Sequence, residues 1–176
     1  PIFLPKSETN TPGMAANVKR NIENFGFEVD FLTNIEEIKK IRYVDEKSNY
    51  ILLRVDENDR CDRVFLPNKD KFNEYDVVVI SDYDKGFLHP DDINEIAKNS
   101  KLTFIDTKKE LGNWINNCNF IKINEKEYNE NSKFIDNEMY DRTIITLGGR
   151  GCKFKDKTFP GKKVEVRDVV GAGDTF

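Results

Sequence analysis

The chain has 176 residues and a net charge of −4, from 28 basic and 32 acidic side chains. That length fits one domain with a real core. So mild a charge, with no long basic run, argues against a nucleic-acid surface. No stretch approaches the ~20 apolar residues of a membrane span, and Pro1 to Pro5 is too short for a signal core. Cys61, Cys118 and Cys152 are too widely spaced for a zinc motif or a disulfide framework, so a cytoplasmic protein with ordinary thiols is expected. The first residue is Pro, which suggests processing or a piece of a longer reading frame.

Along the chain, Ile2 to Leu4 reads as a short strand. Thr11-Pro12-Gly13 opens a helix over Ala15 to Phe25, where Val18, Ile22 and Phe25 keep helical spacing and Gly26 stops it. Phe27 to Leu32 alternates apolar and acidic residues, as a half-buried strand would. Ile38 to Val44 and Tyr50 to Val55 flank a polar turn, giving a hairpin over about 38–57. Glu57 to Arg63 is charged and expected to be exposed. Val77 to Ile80 is a β-branched run suited to a strand buried on both faces. Pro90 opens a helix to about Asn99, and His89 before it has no evident nucleophile partner. Leu102 to Ile105, Asn119 to Ile123 and Thr143 to Leu147 complete a strand–helix alternation. The fold class is therefore α/β with a mainly parallel sheet, whose ligands bind at the carboxyl ends of the strands.

The end of the chain carries the densest chemistry: Asp168-Val169-Val170-Gly171-Ala172-Gly173-Asp174-Thr175-Phe176. Small residues let successive N–H groups converge on an anion, and a carboxylate beside that pocket suits phosphoryl transfer. The run resembles the D-x-x-G-A-G-D-x-F signature of the PfkB/ribokinase family of sugar kinases. The resemblance implies a ribokinase-like three-layer α/β/α fold with a small β lid. It makes Asp174 the catalytic base and the Gly171, Ala172 and Gly173 amides an anion hole.

Other segments follow in the family's order. Gly13-Met14-Ala15-Ala16-Asn17 is similar to G-G-A-x-N, with Met14 in place of the second glycine; Gly13 and Asn17 are implied sugar contacts. Ser81-Asp82-Tyr83-Asp84-Lys85-Gly86 resembles S-D-Y-x-K-G of the heptose-7-phosphate kinases, which form the N-terminal domain of a bifunctional kinase/adenylyltransferase of lipopolysaccharide synthesis. Leu52-Leu53-Arg54-Val55-Asp56 is similar to that branch's L-L-R-x-D, and Arg42 fits its pattern too. The resemblance makes Arg54, Asp82 and Lys85 substrate-binding, with Lys85 on the substrate phosphate and Asp82 orienting a hydroxyl or that lysine. Asp106-Thr107-Lys108 looks like D-P-K, although a surface loop explains it equally well; Lys108-Lys109 reads otherwise as a solvated basic pair.

Asn124 and Glu127 match N-x-x-E, a motif that spacing alone cannot separate from a helix cap. Thr146, Gly148 and Gly151 match T-x-G-x-x-G, which alone is a turn into Cys152–Phe154. By resemblance these five residues bind ATP, with Glu127 acting on Mg2+ through its water shell.

The whole chain then reads as one incomplete kinase domain, short at both ends, transferring phosphate from ATP to a sugar or sugar phosphate, heptose 7-phosphate above all. The rivals are a plain-sugar kinase, and a kinase-fold remnant that binds ligand or partner without phosphoryl transfer. Neither nucleic acid nor membrane is implied. The family's lid hairpin often pairs with a second copy, which suggests a homodimer.

Overall fold

A computed structural model describes residues 4–48, 50–66 and 68–161. The expected strand at Ile2 to Leu4 lies almost wholly outside them, and the glycine-rich run at 171–174 lies outside them entirely. The chain divides into two compact units, and among the described residues the boundary falls between Asp62 and Arg63.

In the first unit, helix α1 (Met14–Asn24) follows Gly13, and the Gly26 amide donates to the Glu23 carbonyl at 2.9 Å to close it. Gly26 has φ +86°, a left-handed stop that glycine adopts without a Cβ clash. Met14 also has a left-handed backbone, φ +54°, at the position where the resemblance expects glycine.

Strands β1 (Lys39–Val44) and β2 (Ile51–Glu57) form the expected antiparallel hairpin, with Lys39 opposite Glu57. Asp45 sets the turn: its carboxylate accepts from the Ser48 amide (2.9 Å) and hydroxyl (2.6 Å). Alternation puts Ile41, Tyr43, Leu53 and Val55 on one face and Lys40, Arg42, Arg54 and Asp56 on the other. Residues 27–32 form no strand. Alternation describes a face, but a strand also needs a hydrogen-bonding neighbour, and among the described residues no strand pairs with this stretch.

The second unit holds a six-stranded sheet in chain order. Strands β3 (Val78–Asp82), β4 (Thr103–Thr107), β5 (Phe120–Asn124) and β6 (Thr143–Thr146) run parallel. Strands β7 (Cys152–Phe154) and β8 (Lys157–Phe159) turn back antiparallel. Helix α2 (Pro90–Lys98) joins β3 to β4; α3 (Glu125–Glu130) and α4 (Asn137–Tyr140) lie between β5 and β6. The α/β reading is borne out: a mostly parallel sheet plus a small antiparallel one, consistent with a ribokinase-like fold.

The core is one isoleucine-rich layer. Ile80, Ile105, Ile121 and Ile123 point from one face of the sheet onto Ile93, Ile96 and Ala97 of α2, Ile115 and Met139, and Ile145, opposite Ile123, is buried on the same face. Each fully buried isoleucine contributes roughly 1.5–3 kcal/mol. Buried threonines among them are satisfied: Thr143 donates to the Met139 carbonyl at 2.7 Å and Thr103 to the Asn119 side chain at 3.1 Å. The other face carries Val79, Phe104, Phe120, Ile144 and Phe154; Phe104 stacks on Phe120 with centroids 4.7 Å apart. One sequence expectation is corrected here. The run ending at Ile80 is buried on one face only: Ile80 is 4% exposed, whereas Val79 on the opposite face remains 45% exposed.

Two expected outcomes follow from this distribution. None of the described residues up to Asp62 is buried, whereas every buried apolar side chain lies between Ile80 and Ile145. An eleven-residue helix and a two-stranded hairpin are each marginal alone in water. A fragment of residues 63–164 should therefore unfold cooperatively by circular dichroism, and one of residues 1–62 should give no transition. A cooperative melt of the shorter fragment would contradict this.

The second concerns α2, where the Asp92 carboxylate takes two bonds of 2.8 Å from Arg63 and one of 2.8 Å from the His89 amide. Burial pushes the Asp92 carboxyl up, but Arg63 and the His89 amide outweigh it and hold it below its usual 3.8. A lowered carboxyl stabilises the fold above the unfolded value, and that gain disappears as pH falls below 3.8 through the folded value. Arg63→Gln should lower stability at neutral pH and flatten the loss on the acid side; an unchanged acid limb in urea titrations at pH 2–6 would refute the assignment.

Candidate functional site

Four parallel strands end at the same edge of the second unit's sheet, so their following loops converge. Asp82 closes β3, Thr107 closes β4, Asn124 closes β5 and Thr146 closes β6. Of the residues singled out from sequence, Asp82, Lys85, Asn124, Glu127, Thr146, Gly148 and Gly151 all follow or end these strands. Gly13, Asn17 and Arg54 belong to the first unit: Gly13 caps α1, Asn17 lies on its first turns, and Arg54 sits on β2. Asp174 and Gly171, Ala172 and Gly173 lie outside the described residues.

Asn124 and Glu127 form a reciprocal capping box at the start of α3. The Asn124 side chain accepts from the Glu127 amide and the Glu127 carboxylate from the Asn124 amide, both at 2.9 Å. Glu127 also takes the Lys108 ammonium at 2.7 Å. Lys108 in turn lies 3.6 Å from Asp106, whose other oxygen takes Lys122. Charges thus alternate along the edge: Lys122, Asp106, Lys108, Glu127. Burial pulls the Lys108 ammonium down, but the bond from Glu127 and the charge of Asp106 outweigh it, and the net shift is upward. Lys108 is therefore a firm cation at neutral pH.

Lys108 and Glu127 from this chain of charges border a cavity of about 300 Å³, lined also by the apolar Leu111 and Ile123 and by the polar Thr107, Lys109 and Asn131. Among the described residues no cluster of three His, Cys, Asp or Glu side chains could cage a metal. Both Glu127 oxygens are engaged within the protein, one by the Lys108 ammonium and the other by the Asn124 amide.

The two glycines of the Thr146–Gly151 segment do different work. Gly148 has φ +60° and open space where a Cβ would stand. Gly151 has φ +95°, and a Cβ there would lie 2.0 Å from the Phe159 carbonyl oxygen and 2.5 Å from the Gly161 nitrogen. Gly151 is thus needed by the protein's own return strand, while Gly148 is required for its left-handed backbone alone. The Leu147 amide closes the turn on the Gly151 carbonyl at 2.8 Å.

Arg54, on the polar face of the hairpin, pairs with Asp56 through two guanidinium nitrogens and stands directly opposite Arg42. Facing arginines repel, and the Asp56 carboxylate on Arg54 offsets that charge.

The acidic loop after β3 corrects the picture of Lys108-Lys109 as solvated. Lys109 keeps only 10% of its side chain exposed and binds two carboxylates, Asp82 at 3.0 Å and Asp84 at 2.6 Å. Nothing in the spacing of the sequence marks that residue. Its signal would have been an acidic pair after one parallel strand facing a lysine after the next.

No protein-family model matches the chain. Curated proteins do. It is similar to the bifunctional protein HldE of Campylobacter jejuni subsp. doylei, 26% identical over 99% of this chain and 49% of that protein. It is 27% identical to the HldE of Campylobacter fetus subsp. fetus over 97% of this chain and 49% of that one. The HldE of Caulobacter vibrioides is 26% identical over 99% of this chain and 48% of that protein. The chain spans about half the length of the curated relatives it matches. Among the described residues no helix is long and apolar enough to cross a membrane.

The contrast between the glycines is testable. Gly148→Ala should fold, at a cost of about 1–2 kcal/mol for its left-handed backbone. Gly151→Ala should lose roughly 3 kcal/mol or more, because backbone must move. Equal melting curves for the two variants would refute the distinction.

Proposed function

We propose that the chain is an ATP-dependent carbohydrate kinase that phosphorylates a sugar phosphate, with heptose 7-phosphate as the preferred acceptor and Mg2+ as the accompanying cation. The observation that carries this reading is convergence. Asp82 and Lys85, Glu127, and Thr146 and Gly148 come from three separate stretches of sequence, and all end or follow parallel strands at their carboxyl ends, where α/β folds bind ligands. The similarity to HldE proteins supports it independently. In this reading residues 1–176 belong to one ribokinase-like kinase domain with the β1–β2 hairpin as its lid, and the product feeds lipopolysaccharide heptose in the cytoplasm. A pair of copies joined through the hairpin belongs to the same proposal.

Mechanistically, Asp174 takes the proton of the acceptor hydroxyl as its oxygen bonds to the γ-phosphorus and the bond to the β–γ bridging oxygen breaks. The Gly171 to Gly173 amides hold the charge of the moving group. Gly148 leaves room for nucleotide phosphates beside Thr146, and Asn124 and Glu127 fix the start of α3 next to them. Bound Mg2+ would supply neutralisation of phosphate charge. Gly13, Asn17 and Arg54 orient the sugar, and Lys85 and Arg54 favour an acceptor that already carries a phosphate. Asp82 acts indirectly: both its oxygens are occupied within the protein.

The deciding assay is ATP turnover with magnesium and heptose 7-phosphate, fructose or ribose. Turnover that requires the heptose phosphate is expected, and Asp174→Asn should cut kcat by about 10²–10⁴-fold, the range of a positioned general base. Turnover on fructose or ribose alone would replace the substrate assignment. Ligand binding with no turnover on any acceptor would favour a binding-only kinase fold.

A further inference from the structure

The segment after β3 is built in an unusual way. Asp84 has a left-handed backbone, φ +55°, which non-glycine residues seldom adopt, and Gly86 has φ +102°, which glycine takes freely, so the strain of the Tyr83–Gly86 turn sits at Asp84. What holds it comes from the neighbouring strand. Lys109, just beyond β4, reaches across to Asp82 (3.0 Å) and Asp84 (2.6 Å). Asp82 also accepts from the Thr107 hydroxyl at 2.6 Å and from the Asp84 amide at 3.1 Å, and the Lys108 amide donates to its carbonyl at 3.1 Å. The Lys109 amide donates to the Thr107 hydroxyl at 3.1 Å, completing a closed network.

We propose that Lys109 is a positioning residue: its ammonium clamps Asp82 and Asp84 and thereby sets the loop that presents Lys85 to the acceptor. The effect on acceptor binding rests on the kinase reading above; the clamp itself does not. The charge balance argues for it. Asp82 is 3% exposed, so it is costly to leave without its cation, and Asp84 beside it is 54% exposed. With the ammonium gone, two carboxylates two residues apart repel in a partly buried place, and the strained turn is the part free to move. Asp84 then swings outward and Lys85, its neighbour in sequence, moves with it. The isoleucine core lies on other residues and stays intact.

The test uses the full chain carrying Lys109→Met or Lys109→Arg, with amide hydrogen exchange and steady-state kinetics read on the same samples. In Lys109→Met, amides of residues 83–88 should exchange about tenfold faster while those of β4 and β5 keep their protection. The acceptor KM should rise about tenfold with kcat within about twofold and the ATP KM unchanged. Lys109→Arg, which keeps the charge, should restore most of both. Should Lys109→Met fail to fold, Asp84→Asn removes one arm of the clamp from its exposed side and should raise the same local exchange.

Unchanged exchange at 83–88, or a uniform loss of protection through the sheet, would overturn the proposal. So would faster loop exchange with an unaltered acceptor KM. Absence of turnover in the unaltered protein would defeat the kinase reading alone, and the exchange data would still decide the clamp.

Discussion

The second unit depends on one packing constraint: the single-sided burial of the isoleucine layer on β3, β4, β5 and β6. Ile80, Ile105, Ile121, Ile123 and Ile145 repeat at strand spacing and register with one another, so a one-residue slip of any strand would exchange them for the opposite face. That fixes register. Fixed register in turn brings Asp82, Thr107, Asn124 and Thr146 to a common edge. The chemistry at the edge is thus positioned by aliphatic side chains that never touch it.

Charge at the edge is arranged so that no group stands alone. Lys109 has Asp82 and Asp84; Lys108 has Glu127 and Asp106; Lys122 has Asp106. In a half-buried setting such pairs gain little net stability over apolar packing, but losing one member leaves the other expensive. The arrangement therefore contributes geometry more than energy. Asp106 marks where the chain of charges is least satisfied, since one of its buried oxygens has no hydrogen bond. Lys108, 3.6 Å from that oxygen, supplies charge there without a bond.

Much of this was legible in the sequence because it rests on local chemistry. β-Branched runs marked the parallel strands, Pro90 marked the entry to α2, and the turn at Asp45–Asn49 marked the hairpin. The errors have a common physical source. Residues 27–32 alternate correctly but pair with no strand among the described residues, and Val77 to Ile80 is hydrophobic enough for two buried faces but has Val79 exposed on one of them. Pairing partners and covered faces are properties of the whole fold, and no window of sequence contains them. Lys109 escaped for the same reason, its two partners being 27 and 25 residues away.

The glycine-rich and asparagine-glutamate motifs show how a resemblance and a physical requirement can occupy the same residues. Asn124 and Glu127 satisfy each other as a helix cap, so their pattern would persist in a protein that bound nothing. Gly151 is likewise demanded by the return of the chain past Phe159. Gly148 is different. Its left-handed backbone serves a turn, and among the described residues no atom beyond its own chain neighbours lies within 4 Å of where its side chain would stand. Within that segment, Gly148 is held as glycine by its backbone conformation, and Gly151 by its backbone and by the chain packed against it.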